Sequence, residues 1–221
     1  LYLQESGLVD QLYVYRFTRG FAGLSAQAFI DQVLVAALGA RYVLIGDDFQ
    51  FGARRQGHFS TLQACPAFVT EAMPTISVHG ERASSSRIRT ALAAGDFTHA
   101  EALLGRHYQL TGRVMHGKKL GRTLGYPTAN VHLPHRKPAL AGIFVVEVDT
   151  ALGRFGGVAS LGKNPTVDTT DSYKLEVHLF DFSGDLYGAH LDVRFLAKLR
   201  DEMTFATFEA LTGQIRADLT Q

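Results

Sequence analysis

The densest chemistry in the chain lies between Gly112 and Asn130, GRVMHGKKLGRTLGYPTAN. Gly117, Gly121 and Gly125 allow a backbone to approach a ligand closely and offer unobstructed N–H groups, while Lys118, Lys119 and Arg122 supply positive charge. That combination suits a polyphosphate, although the G-x-x-x-x-G-K-[ST] spacing of a Walker loop is absent. Pro127 fixes the backbone, and Thr128 and Asn130, two apart on an extended segment, turn a hydroxyl and an amide oxygen to one side. Both are oxygen ligands of the kind Mg²⁺ accepts while sharing phosphate oxygens. The same residues also suit a turn whose Thr and Asn satisfy backbone groups.

Two further places hold reactive groups. In Tyr173 to Phe182, Leu175, Val177 and Leu179 alternate with Glu176, His178 and Phe180, so one face is core and Glu176 lies on the other. A carboxylate on a rigid strand can serve as a general base; it can equally be a solvated surface charge. His178 shares that face, and with no second His or Cys at metal spacing it reads as structural. Ser84, Ser85 and Ser86 open a helical run that carries Arg87 and Arg89, which gives hydroxyls, unpaired helix N–H groups and guanidinium donors for a phosphate.

These groups need a scaffold, and the sequence suggests two. In the first hundred residues, Leu12 to Phe17 reads as a strand. Ser25 caps a helix with Phe29, Ile30, Val33, Leu34, Ala37 and Leu38 at helical spacing, Gly39 ends it, and Arg41 to Gly46 reads as a buried strand. Strand, helix, strand is a parallel βαβ unit, whose ligands sit at strand carboxyl ends; here that end runs into Asp47, Asp48, Phe49, Gln50, Phe51 and Gly52. A helix over Arg87 to Ala93 stops at Gly95, and a second, with Thr98 and Glu101 at capping-box spacing, stops at Gly105. Beyond it, Tyr108–Met115, Gly142–Thr150, Phe155–Leu161, Tyr173–Phe182 and Leu191–Leu199 read as strands without intervening helices. Five or six such strands predict a small closed antiparallel barrel, followed by a helix over about 205–219 that presents Phe208, Leu211, Ile215 and Leu219. The predicted fold class is therefore α/β plus β, with domains over 1–104 and 105–221, the second expected to fold alone.

Composition bounds the rest. The chain has 221 residues, 46% hydrophobic and 19% charged, which is the profile of a folded globular protein. Its most apolar stretch, Val33 to Gly46, is interrupted by Arg41 and is too short to span a membrane. One cysteine, Cys65, excludes an internal disulfide framework and a Cys-rich zinc site, as expected of a cytoplasmic protein. Net charge is only +1, yet no Asp or Glu occurs from Ala102 to Val146, where Arg106, Arg113, Lys118, Lys119, Arg122, Arg136 and Lys137 lie. Something anionic is expected to dock there. Only Tyr108 and Tyr126 interleave with those charges, which argues against a nucleic-acid-binding barrel. A homo-oligomer is compatible with the sequence.

As a set, these residues resemble the bacterial bifunctional riboflavin kinase/FMN adenylyltransferases, the FAD synthetases. The resemblance covers G-x-D-F-x-F-G at 46–52, S-S-x-x-I-R at 84–89, LLGRHY at 103–108, G-R-x-L-G-[FY]-P-T-A-N at 121–130, N-P-T at 164–166, LEVHLFDF at 175–182 and L-R-D-E-x-x-F at 199–205. It implies ATP-dependent phosphorylation of riboflavin to FMN in the barrel, and adenylylation of FMN to FAD, with release of pyrophosphate, in a Rossmann-like nucleotidyltransferase domain. It also implies small-molecule partners only, with Mg²⁺ as cofactor. By this resemblance Thr128 and Asn130 hold Mg²⁺ and the ATP phosphates, Gly117 to Arg122 form a nucleotide flap, and Glu176 is the base. Asp48 and Phe49 contact flavin or nucleotide, and Ser84, Ser85 and Arg89 contact phosphate. The family's H-x-G-H motif is absent from the sequence, so the part of the first domain that carries it is expected to be missing upstream of Leu1. A kinase-only protein with a degenerate first domain is the alternative; the intact S-S-x-x-I-R and D-F-x-F-G motifs speak against it.

Overall fold

The computed structural model describes residues 3, 6–46, 48–117, 125–133, 138–163, 173–203, 210, 213–214 and 217–218. The chain divides into two compact units, Leu1–Ile76 and Ser77–Gln221.

In the first unit, the short helix α1 (Arg19–Ala22) is capped by Thr18. Helix α2 begins at Ala26–Phe29, where the Ser25 hydroxyl accepts from the Ala28 N–H, and continues as a π-helical stretch over Ile30–Ala37. It ends where Leu38 N–H reaches back to Val33 C=O, and Gly39 takes a left-handed φ of 59°. Strand β1 (Tyr42–Gly46) pairs in parallel with β2 (Val69–Met73), joined through α3 (Phe59–Gln63). Ile30, Phe51, Leu62 and Phe68 form the buried centre of this unit.

The parallel βαβ unit therefore exists, and the expected strand at Arg41–Gly46 is one of its strands, but its partner is β2 rather than Leu12–Phe17. Leu12 to Phe17 forms no strand, and Tyr13, Val14, Tyr15 and Phe17 are exposed. A β-prone run becomes a strand only where a neighbour completes its ladder, and the partner of β1 is β2. The β2 sequence, VTEAM, mixes polar and apolar residues too evenly to announce itself.

The second unit opens with a hairpin, β3 (Ser77–Val78) and β4 (Glu81–Arg82), whose turn residues His79 and Gly80 both have positive φ. Helix α4 (Ser85–Ala94) is capped by the Ser84 hydroxyl and closed by left-handed Gly95. Helix α5 (Phe97–Leu104) is capped by Asp96, whose carboxylate accepts from the His99 N–H, and closed by left-handed Gly105. Asp96 thus replaces the Thr98–Glu101 box expected from spacing, since Thr98 already lies inside the helix.

Six strands follow: β5 (Gln109–Met115), β6 (Ala129–His132), β7 (Gly142–Thr150), β8 (Gly153–Lys163), β9 (Tyr173–Leu179) and β10 (His190–Arg200). They close into an antiparallel barrel in the order β10-β5-β6-β9-β8-β7. Alternation along each strand fills the interior with Val114, Val131, Phe144, Val146, Val148, Leu161, Leu175, Val177, Val193 and Phe195. Leu92, Phe97 and Ala100, from the two helices, are buried in the same cluster, and the Phe97 ring meets Phe144 edge-on at 5.9 Å between centroids. By packing, the chain divides between Ile76 and Ser77, so the two helices that the expected boundary at 104/105 assigns to the first domain share a core with the barrel. Of the terminal helix expected over 205–219, Phe208, Leu211, Ile215 and Leu219 lie outside the described residues. Its described Asp218 is buried, with its carboxylate accepting from Arg200 Nε at 2.9 Å and Nη2 at 2.7 Å.

Candidate active site

The end of the P-T-A-N segment enters β6, which places Asn130 in the barrel ladder, and Thr128 lies immediately before that strand. Strand β6 pairs with β5 on one side and β9 on the other, and the β6–β9 register sets Asn130 opposite Glu176. Leu175, Val177 and Leu179 point into the core, so Glu176 and His178 lie on the opposite face, as the alternation predicts. Lys174, two residues before Glu176 and on the same face, places Nζ 2.8 Å from Glu176 Oε1. This ion pair was not foreseen in the sequence, because a lysine in a strand of mixed polarity carries no signal by itself.

Asn130 is the group that most plainly awaits a ligand. Its Oδ1 is buried and accepts no hydrogen bond. Gly117 packs against the amide so closely that a Cβ there would lie 2.6 Å from Asn130 Cγ and 2.8 Å from Oδ1. A buried amide oxygen without a donor is costly, and a cation or its bound water relieves that cost. The donor set thus fits Mg²⁺ shared with phosphate. No cluster of three His, Cys, Asp or Glu among the described residues could hold a metal by itself.

Thr128 lies at a cavity of about 280 Å³. Its wall is apolar at Val114, Leu179 and Phe182, and polar at Ser183 and Asp185. Tyr187, also in the wall, lies against His116 with centroids 4.0 Å apart and the rings tilted by 33°. Phe182, Ser183, Asp185 and Tyr187 come from the loop after β9, beyond the last alternating position, and spacing alone does not reveal them. Glu202 was likewise missed: its carboxyl fills the space a Cβ on Gly162 would take, and Gly162 is the β8 partner of Lys174. Burial pushes the Glu202 carboxyl up from the ordinary carboxylate range, and the charge of Glu176 pushes it further.

Of the expected flap, Gly117 is described, whereas Lys118, Lys119, Gly121 and Arg122 lie outside the described residues. In the other set, Asp48 and Phe49 belong to the first unit, where the exposed Phe49 ring stacks on Phe51 at 5.8 Å. Ser84, Ser85 and Arg89 belong to the second unit. Ser84 is committed as the α4 cap, and Ser85 and Arg89 are exposed. Arg87, expected to add a donor for phosphate, instead donates to Glu81 Oε2 at 2.7 Å.

Two family descriptions match this chain: riboflavin kinase over residues 104–221 and FAD synthetase over residues 1–87. The bifunctional riboflavin kinase/FMN adenylyltransferase of Pseudomonas fluorescens is 46% identical over 96% of this chain and 69% of its own length. That of Haemophilus influenzae is 44% identical over 99% of this chain and 72% of its own. The chain belongs to the bifunctional riboflavin kinase/FMN adenylyltransferase family. Its fold is shared with a crystal structure described as a macrolide-efflux protein from Streptococcus pneumoniae, at a TM-score of 0.76 and 34% identity over 99% of this chain and 71% of that one. No helix among the described residues is long and apolar enough to cross a membrane. As a member of a bifunctional kinase/adenylyltransferase family of FAD biosynthesis, the chain carries both parts: the barrel lies within the riboflavin kinase match, and the β1–α3–β2 unit within the FAD synthetase match.

Proposed function

We propose that the barrel phosphorylates riboflavin at a site made by Thr128, Asn130 and Glu176, and that the observation carrying this reading is the orphaned amide oxygen of Asn130, the residue paired with Glu176 across the β6–β9 ladder. The cavity beside Thr128 takes the nucleoside of ATP, which brings the phosphates to the Thr128 hydroxyl and the Asn130 amide. Mg²⁺, when bound by Thr128 and Asn130, neutralises charge that develops on the transferring phosphoryl group. Glu176 accepts the proton of the primary ribityl hydroxyl as its oxygen bonds to the γ-phosphorus and ADP departs. Lys174 keeps that carboxylate aimed at the strand face it shares with Asn130. The expected flap residues Gly117, Lys118, Lys119, Gly121 and Arg122 cover the phosphates.

The second reaction, transfer of AMP from ATP to FMN with release of pyrophosphate, is assigned to residues 1–104. There Asp48 and Phe49 contact flavin or nucleotide, and Ser84, Ser85 and Arg89 contact phosphate. Its partners are small molecules and its compartment is the cytoplasm. The test is to incubate the chain with riboflavin, ATP and Mg²⁺ and to separate the flavins by chromatography. FMN formation that needs Mg²⁺ and is lost in Glu176→Gln is the expected result. FMN formation unchanged in that variant would overturn the assignment of the base.

A further inference from the structure

His178 lies two residues after Glu176 on the same face of β9, and its Nδ1 is 2.9 Å from the carbonyl oxygen of Pro127. A carbonyl oxygen only accepts, so Nδ1 carries the proton. The regular β6–β9 ladder reaches Ala129 opposite Val177, and Pro127 lies beyond its end. The imidazole therefore continues by side chain what the backbone ladder stops providing. It fixes the peptide plane between Pro127 and Thr128, both of which border the cavity. Two rings hold the imidazole in that orientation: Tyr126 meets it edge-on at 5.8 Å and Phe180 at 6.1 Å. With its Nδ1 proton committed to Pro127, this nitrogen cannot take up a proton from a substrate hydroxyl.

We propose that His178 is a positioning residue of the kinase site, whose Nδ1–H holds the Pro127 carbonyl and thereby sets the backbone that presents Thr128 and Asn130 to the nucleotide phosphates. The proposal rests on the reading of Thr128 and Asn130 as the phosphate and metal residues. It predicts that the position needs a donor where Nδ1 stands rather than an imidazole as such. Asparagine places an amide N–H near Nδ1, and glutamine places it near Nε2.

The experiment compares His178→Asn, His178→Gln and His178→Ala in the full chain. It reads KM for Mg·ATP and for riboflavin separately, the calorimetric affinity for ADP with and without Mg²⁺, and the melting temperature without ligand. Gln and Ala are expected to raise KM for Mg·ATP and weaken Mg²⁺-dependent ADP binding by about three- to tenfold, the loss of one hydrogen bond. Riboflavin KM should stay near wild type, and Asn should restore most of the ADP affinity. If Ala does not fold, the Asn and Gln pair carries the comparison. ADP affinity equal to wild type in both Asn and Gln overturns the proposal, as does equal loss in both with melting temperatures lowered alike. A Thr128→Ala variant run alongside separates the two levels. Normal Mg²⁺ dependence in Thr128→Ala overturns the underlying reading and this proposal with it, whereas a sensitive Thr128 with insensitive His178 variants overturns this proposal alone.

Discussion

Asn130 and Glu176 are direct cross-strand partners in the β6–β9 ladder. Opposed residues of an antiparallel pair share a face, with Cβ atoms about 4.5–5.5 Å apart. On the proposed reading, a phosphoryl group held at the amide is within reach of a hydroxyl whose proton leaves to the carboxylate, and the register of the two residues is set by backbone pairing. Glu176→Gln keeps the shape and loses the proton acceptor. Its kinase turnover should fall by about 10²–10⁴-fold, with ADP affinity by calorimetry within a few-fold of wild type.

Gly117→Ala tests the other side of Asn130. The added methyl would stand 2.6 Å from Asn130 Cγ, so the amide must swing away from its present place. Mg·ATP should bind more weakly while riboflavin binding and the circular dichroism spectrum of the barrel stay as in wild type. Undisturbed Mg²⁺ titration curves would mean that the amide has no part in holding the metal.

Glu202 gives a pH-dependent signature. Its carboxyl is raised in the fold by burial and by Glu176. Between the ordinary carboxylate value, about 4.3, and its raised folded value, the native protein therefore binds a proton that the unfolded chain has released. Stability falls as pH rises through that window. Glu202→Gln has nothing to ionise there, so melting temperatures of variant and wild type should draw apart in the variant's favour as pH increases. Parallel curves would show that Glu202 is not held in this environment.

Asp218 has the opposite sign. Burial alone would push its carboxyl up, but hydrogen bonds from Arg200 and Gln214, together with the Arg200 charge, hold it below the usual range. Its contribution is complete above the unfolded carboxylate value and is lost as pH falls through the folded one. Asp218→Asn should cost about 3 kcal/mol near neutrality, because it removes the charge of a buried carboxylate from its two-point pairing with the largely buried Arg200 guanidinium. The gap to wild type in denaturant titrations should narrow in acid.

How legible each element was follows from how local its cause is. The barrel strands show because inward and outward residues alternate over seven or more positions, and the turns left-handed Gly95 and Gly105 make show because glycine marks them. Strand β6 spans only Ala129–His132, and the residues before it read as a turn, so its membership depends on neighbours far away in the chain. Thr128, Asn130 and Glu176 stood out by residue type. Lys174, Glu202 and the cavity wall did not, because register and loop closure bring them to the site and neither leaves a periodic trace. Leu12 to Phe17 is the converse: strong β propensity without a ladder to join.

The sharing of one core by α4, α5 and the barrel bears on where the chain tolerates a cut. A proteolytic nick after Ile76 would free a particle whose apolar interior is already sealed by Leu92, Phe97 and Ala100. A nick at Gly105 would strip those three side chains from Phe144 and its neighbours, leaving a greasy scar that invites aggregation. A kinase fragment for crystallisation or for fusion to another enzyme should therefore begin at Ser77, which takes with it the helical stretch that sequence comparison leaves unclaimed between residues 87 and 104.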